Sequence, residues 1–157
     1  MEVVAVPELG LPFGVDAAIC IAAWAHADKR DKGRPNLPYV THPVRVMAAF
    51  DDPDLQAIAV LHDVVEDSLG TDREVTLDDL AAVGASARVI DALRALTHLP
   101  GEGNASYWGR VRTNPDAQAV KRADIADNNS EERLALLDPA LAERLRAKYV
   151  QATDAIG

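Results

Sequence analysis

Apolar positions recur along this chain at helical spacing, and the breaks between apolar stretches carry helix-start chemistry. Asp52-Pro53, Asn114-Pro115 and Asp138-Pro139 each set a capping side chain before a proline. A short oxygen-bearing side chain accepts from the free N–H groups of a first turn, and proline at the first helical position forfeits only a donor that has no partner there. Thr76-Leu77-Asp78-Asp79 has the form of a capping box with Asp in place of Glu. Ala-, Leu- and Val-rich stretches follow these starts. The pattern predicts helices near 15–28, 42–50, 53–65, 76–83, 86–97, 105–113, 115–128 and 139–153, with a short one at 130–136. No segment sustains a period of two, and no Asn-Gly hairpin occurs. The expected fold is an all-α bundle, with one domain over 15–157 and a Pro/Gly-rich irregular arm over 1–14. Gly101-Glu102-Gly103 is expected to be a mobile connection before Tyr107 and Trp108.

Composition narrows the possibilities. Of 157 residues, 48% are hydrophobic but only 4% aromatic, so the core must be built from Ala, Val, Leu and Ile. The net charge of −9 argues against nucleic acid as a partner, because a phosphate backbone needs a basic face. A nucleotide site would need a local cluster of cations or a metal. The single Cys20 lies in the apolar run 17–23 and is expected to be a small buried hydrophobe. With no partner for an intramolecular disulfide it fits a reducing cytoplasm. No basic leader or long apolar run opens the chain, so neither a signal peptide nor a membrane span is expected.

The chemistry gathers around His62-Asp63, near the end of the helix that starts at Pro53. Neighbours on a helix point about 100° apart, so both can approach one ion placed between their directions. His42 comes from the preceding predicted helix and Asp124 from a later one. Two neutral imidazoles and two carboxylates suit a divalent cation such as Mn, Fe, Co, Ni or Zn. Glu66 and Asp67 follow one turn on, where the helix should end. Carboxylates oppose the dipole at a helix C-terminus, so handling the proton of a metal-activated water explains them better. Lys29-Arg30-Asp31-Lys32-Gly33-Arg34 is the one dense basic stretch, and Lys and Arg there can hold phosphates. Lys121 and Asn128 flank Asp124 by one turn on either side; a C-cap is the alternative role for Asn128. His26 is expected to pack or to bond a metal ligand, and Tyr107 and Trp108 to pack, with a lid over the site as the alternative. His98 ends a helix, where a cation suits the dipole, and a phosphate contact is the alternative.

In order, Ala25-His26, Lys32, Pro38-Tyr39-Val40-Thr41-His42-Pro43, Leu61 to Asp67, Ala95-Leu96-Thr97 and Val120 to Asn128 resemble the HD phosphohydrolases. Within that group the chain resembles the small stand-alone (p)ppGpp hydrolases of the RelA/SpoT type, over roughly 16–133. The resemblance implies an HD-domain helical bundle around one metal ion, Mn above others, held by His42, His62, Asp63 and Asp124. It implies Glu66 and Asp67 as catalytic residues. For the nucleotide it implies Lys32, Lys121 and Asn128, with Lys29 and Arg30 as further phosphate cations. The implied reaction is hydrolysis of the 3′-diphosphate of (p)ppGpp to pyrophosphate and GDP or GTP. Asp31 departs from the family by standing in the register of an arginine, and Asp127 by replacing a histidine. Two alternatives stay open: another nucleotide substrate, such as an adenine alarmone, a nucleoside phosphate or a dinucleotide cofactor, and a non-catalytic nucleotide-binding module. The base, the metal in the cell and the oligomeric state are not fixed by the sequence.

Overall fold

The computed structural model describes residues 6–157, and the regular structure among them is helical. In chain order the helices are α1 Val15–Ala25, α2 Thr41–Met47, α3 Pro53–Leu61, α4 Val64–Ser68, α5 Leu77–Ala82, α6 Ala87–Leu96, α7 Asn104–Thr113, α8 Pro115–Asn128, α9 Glu131–Leu134 and α10 Pro139–Ile156. The local start signals act as expected. Asp52 accepts from the Asp54 and Leu55 N–H groups, Asn114 from Ala117 and Asp138 from Leu141. Both halves of the Thr76–Asp79 capping box form.

Helix α3 is the axis of the molecule. Ala57, Ile58, Ala59, Val60 and Leu61 are all buried, and α1, α2, α6 and α8 pack around them. A helix apolar on every side belongs in the centre of a bundle. A smaller core lies at the far end of α8, where Ile125, Ala152 and Ile156 gather with Trp108 and Tyr149. This cluster draws α10 on to Ile156, past its expected end. Arg112 and Gln118 fasten that end by donating to the Ala155 and Ile156 carbonyls.

Other features also differ from the sequence pattern, and α2 stops at Met47, short of its expected end at 50. The helix expected over 53–65 is two helices. His62 keeps helical angles, but Asp63 lies at φ −116°, ψ 3° and interrupts the ladder. No proline or glycine marks the break; the Tyr39 hydroxyl, donating to Asp63 Oδ2, holds the carboxylate from outside the helix. Helix α1 stops at Ala25, three residues early, and Asp28 takes a left-handed φ of 72° that Asp tolerates. Cys20 is exposed, because the helical turn puts Ala17, Ala18, Ile21 and Ala22 inside and Cys20 on the opposite face. The 98–103 connection is tied down: Arg110 donates to Glu102 Oε2 at 3.0 Å and to the Thr97 carbonyl at 2.8 Å, around Gly101 at φ +75°.

Residues 6–14 form no helix, and Val6, Leu9 and Phe13 pack on the main core. The start of the arm, 1–5, lies outside the described residues. Among the described residues no helix is long and apolar enough to cross a membrane.

Candidate metal centre and adjoining cavity

Helices α2, α3 and α8 bring His42, His62, Asp63 and Asp124 to one buried point. His42 Nε2 lies 3.0 Å from Asp124 Oδ1, and His62 Nε2 lies 3.4 Å from the same oxygen. Asp63 Oδ2 is 3.7 Å from His62 Nε2. His42, His62 and Asp63 offer ligand atoms that all lie within 4.8 Å of one another. The break at Asp63 turns its carboxylate toward this point.

Both imidazoles are fixed through the other ring nitrogen. His62 Nδ1 donates to the Ala59 carbonyl at 2.7 Å, and a carbonyl can only accept, so Nδ1 carries the hydrogen. His42 Nδ1 donates to Asp127 Oδ2 at 2.7 Å. Each neutral ring therefore aims an Nε2 lone pair at carboxylate oxygens. Acceptor facing acceptor is repulsive unless a proton or a cation stands between them. Metal-bound histidines are oriented this way, with the second nitrogen bonded to a carbonyl or carboxylate. In the metal-free protein a proton on His62 takes that place. Burial works against a charged His62, yet Asp63 and Asp124 hold it up at about 9. Asp124 stays well below the carboxylate range despite its burial, because His62, His42 and Lys121 face it. The buried cluster can thus hold a metal ion, and the donor set fits one.

Behind His42 lies a group of four charges that the pattern of the sequence did not reveal. Arg45 grips Asp127 through Nε at 2.9 Å and Nη2 at 3.1 Å. Arg133 reaches Asp127 at 3.2 Å and Asp31 at 3.6 Å, and Arg45 reaches Asp31 at 3.4 Å. Burial opposes the charge on Asp31, but Arg133, the Gly33 N–H and Arg45 hold its carboxyl below the usual range. Asp31, with its side chain fully buried, does not stand beside the cavity. The available signal was spacing: Arg45 follows His42 by three residues and Asp127 follows Asp124 by three, on the same helix faces.

Glu66 and Asp67 diverge. Glu66 borders a cavity of about 620 Å³ that reaches the His/Asp cluster at Asp124. Burial and the neighbouring Asp67 raise its carboxyl above the ordinary value. Asp67 points the other way, with Oδ2 at 2.8 Å from Lys29 Nζ and 3.4 Å from His26 Nε2. Burial opposes its charge, but His26 and Lys29 keep it below the usual range.

The basic stretch is divided in the same way. Lys32 borders the cavity. Lys29 is held by Asp67 and lies 4.6 Å above the centre of the Tyr39 ring. Arg30 is exposed and pairs through its backbone with Pro38, and Arg34 pairs with Glu132. Lys121 and Asn128 both border the cavity and both grip Asp124, each at 2.8 Å. Burial opposes the Lys121 charge, but Asp124 raises its pKa above the ordinary value. Asn129, not Asn128, is the C-cap of α8.

The remaining walls come from Arg133 and from α10, whose Lys148 and Tyr149 line the cavity with Trp108 and Tyr107. Sequence reasoning missed these α10 residues, because nothing local says which face of that helix turns inward. His98 stacks on Tyr107 at 4.7 Å between ring centres and donates to the Glu102 carbonyl, on the cavity wall. Tyr107 is buried, its hydroxyl donating to the Leu96 carbonyl.

No family model matches the chain, and no curated protein matches it.

Proposed function

We propose that this chain is a metal-dependent phosphohydrolase acting on a nucleotide, best matched to removal of pyrophosphate from the 3′-position of (p)ppGpp. The observation that carries the reading is the junction of two environments. A buried cluster of His42, His62 and Asp63, its imidazoles pre-set through Nδ1, adjoins through Asp124 a cavity of about 620 Å³. That volume is in the range of small-molecule sites. A divalent cation, Mn by resemblance, supplies a Lewis acid for the phosphate and a water acidic enough to react. His42, His62, Asp63 and Asp124 would hold it. Glu66, with its raised pKa beside the cluster, suits transfer of the water's proton. Lys32, Lys121 and Lys148 offer charge to phosphate oxygens, and Asn128 offers an amide.

One observation favours a broader choice of base. Asp31, in the family register of an arginine, is turned into the protein, so no guanidinium stacks on a purine there. Trp108 and Tyr149, which also line the cavity, offer aromatic rings on which any base can stack. Weaker preference for guanine over adenine than in the RelA/SpoT-type hydrolases follows.

The test is to strip the protein with chelator, reload it with Mn, and screen a nucleotide panel. Phosphate and pyrophosphate release are measured separately. Pyrophosphate should appear from ppGpp and, at comparable kcat/KM, from its adenine counterpart. His62→Ala should lose metal and activity while keeping its helical circular dichroism. Metal bound but no release from any nucleotide would leave a binding module. Full activity without metal would end the proposal.

A further inference from the structure

We infer that a second divalent cation binds between His26, Asp63 and Asp67, on the opposite side of the Asp63 carboxylate from the first. The inference shares Asp63 with the first site but does not depend on the substrate proposed above. His26 is buried, its side chain 1% exposed, and its Nδ1 donates to the Ala22 carbonyl at 3.0 Å. The carbonyl fixes the hydrogen on Nδ1 and leaves the Nε2 lone pair facing inward. That nitrogen is buried without a hydrogen-bond partner, and so is Asp63 Oδ1. A buried polar atom without a partner is costly and calls for an explanation. Nε2 lies 3.4 Å from Asp63 Oδ1 and 3.4 Å from Asp67 Oδ2. Ligand atoms about 2.1 Å from one metal ion lie roughly 3.0–3.4 Å apart in octahedral or tetrahedral arrangements. Nε2 already has that spacing to both carboxylates, and ligand atoms of the three residues all lie within 4.8 Å of one another.

Asp63 serves both sides. Oδ2 faces His62 and accepts from Tyr39, while Oδ1 faces His26. A carboxylate used through both oxygens joins neighbouring ions in two-metal sites. His26 thereby acquires a role that packing alone does not give it, and the divergence of Asp67 from Glu66 acquires a reason.

A competing cation is present. Lys29 Nζ sits 2.8 Å from Asp67 Oδ2, but its side chain is 43% exposed and free to swing outward. The ammonium therefore sets the affinity of the second ion without forbidding it.

The test is a titration of the chelator-stripped full chain with Mn(II) alone, with free Mn(II) counted by electron paramagnetic resonance. The wild-type chain should take up two ions in two steps. His26→Gln should weaken the second step by roughly 100-fold and leave the first. Asp67→Asn, at a partly exposed position, should do the same if His26→Gln fails to fold. Lys29→Met should tighten the second step about fivefold, the worth of a partly exposed ion pair. His42→Gln should remove the first step and keep one ion. Saturation of the wild-type chain at one ion, lost in His42→Gln but not in His26→Gln, would overturn this inference alone. A second step unchanged in both His26→Gln and Asp67→Asn would overturn it too. No uptake at all would overturn both sites.

Discussion

Replacing Asp127 by alanine should weaken metal binding although Asp127 is not a ligand. Its Oδ2 accepts from His42 Nδ1 at 2.7 Å, which fixes the tautomer and aims Nε2 at the metal cluster. Loss of such a partner costs about 10–100-fold in metal affinity, or about 1.4–2.7 kcal/mol. A second effect falls on stability. Arg45 and Arg133, now sharing Asp127 and Asp31, would be left with Asp31 alone. Breaking a buried pair costs about 3–5 kcal/mol. Here the Arg45 side chain is 32% exposed, so about 1–3 kcal/mol is the reasonable scale. Asp127→Asn separates the two effects. Its carboxamide oxygen can still accept from His42, but its charge is gone. Calorimetric titration with Mn should therefore rank affinity as wild type, then Asn, then Ala. Thermal unfolding of the metal-free proteins should show the Asn and Ala variants destabilised alike. If Asp127→Ala bound Mn within twofold of wild type while losing stability, Asp127 would serve the charge cluster only.

Glu66→Gln should retain metal and nucleotide but lose turnover by about 10²–10⁴-fold; a near-normal rate on any good substrate would make Glu66 a rim acid. Lys32→Ala should raise KM, more at low salt than at high salt, and an unchanged KM at every ionic strength would remove Lys32 from the site. The metal-free protein should lose stability as pH rises. His62, at about 9 folded against about 6.5 unfolded, contributes about 3 kcal/mol that is fully present below pH ~6.5 and gone once pH passes about 9. His42, also raised, acts in the same direction. Because the proton competes with the metal, the rise in Tm on adding Mn should grow across the same window. A metal-free Tm that stays flat from pH 6.5 to 9 would contradict this.

What the sequence discloses follows the range of each interaction. Caps act within one turn, so Asp52, Asn114, Asp138 and the Thr76–Asp79 box are legible, and the helix starts with them. The convergence of His42, His62, Asp63 and Asp124 is legible only through the spacing of a resemblance. The break at Asp63 is not legible, because no proline or glycine marks it and the Tyr39 hydroxyl that holds its carboxylate comes from a different segment. Asp31 and Asp127 look like departures in a linear comparison, and in space they answer Arg45 and Arg133. The return of α10 over the cavity depends on contacts made far along the chain, such as that of Gln118 with Ile156. Cys20 shows the converse: the composition of 17–23 says buried, and the helical angle says which residue is not.

The alanines of the bundle have a consequence of their own. Ala18 and Ala22 of α1 and Ala57 and Ala59 of α3 are buried in the main core to which both helices contribute, and α2 lies against α3 as well. Side-chain bulk at a helix contact sets the distance between helix axes. The methyl groups in this chain therefore act as spacers for the ligand set, keeping nitrogen and oxygen atoms on different helices a few ångströms apart. Filling the core with larger residues, a common route to a sturdier protein, would here push α1, α2 and α3 apart and open the very gap that a metal ion has to close. Thermal robustness and ion affinity draw on the same few methyl groups, so directed improvement of one should be traced first at Ala57 and Ala59.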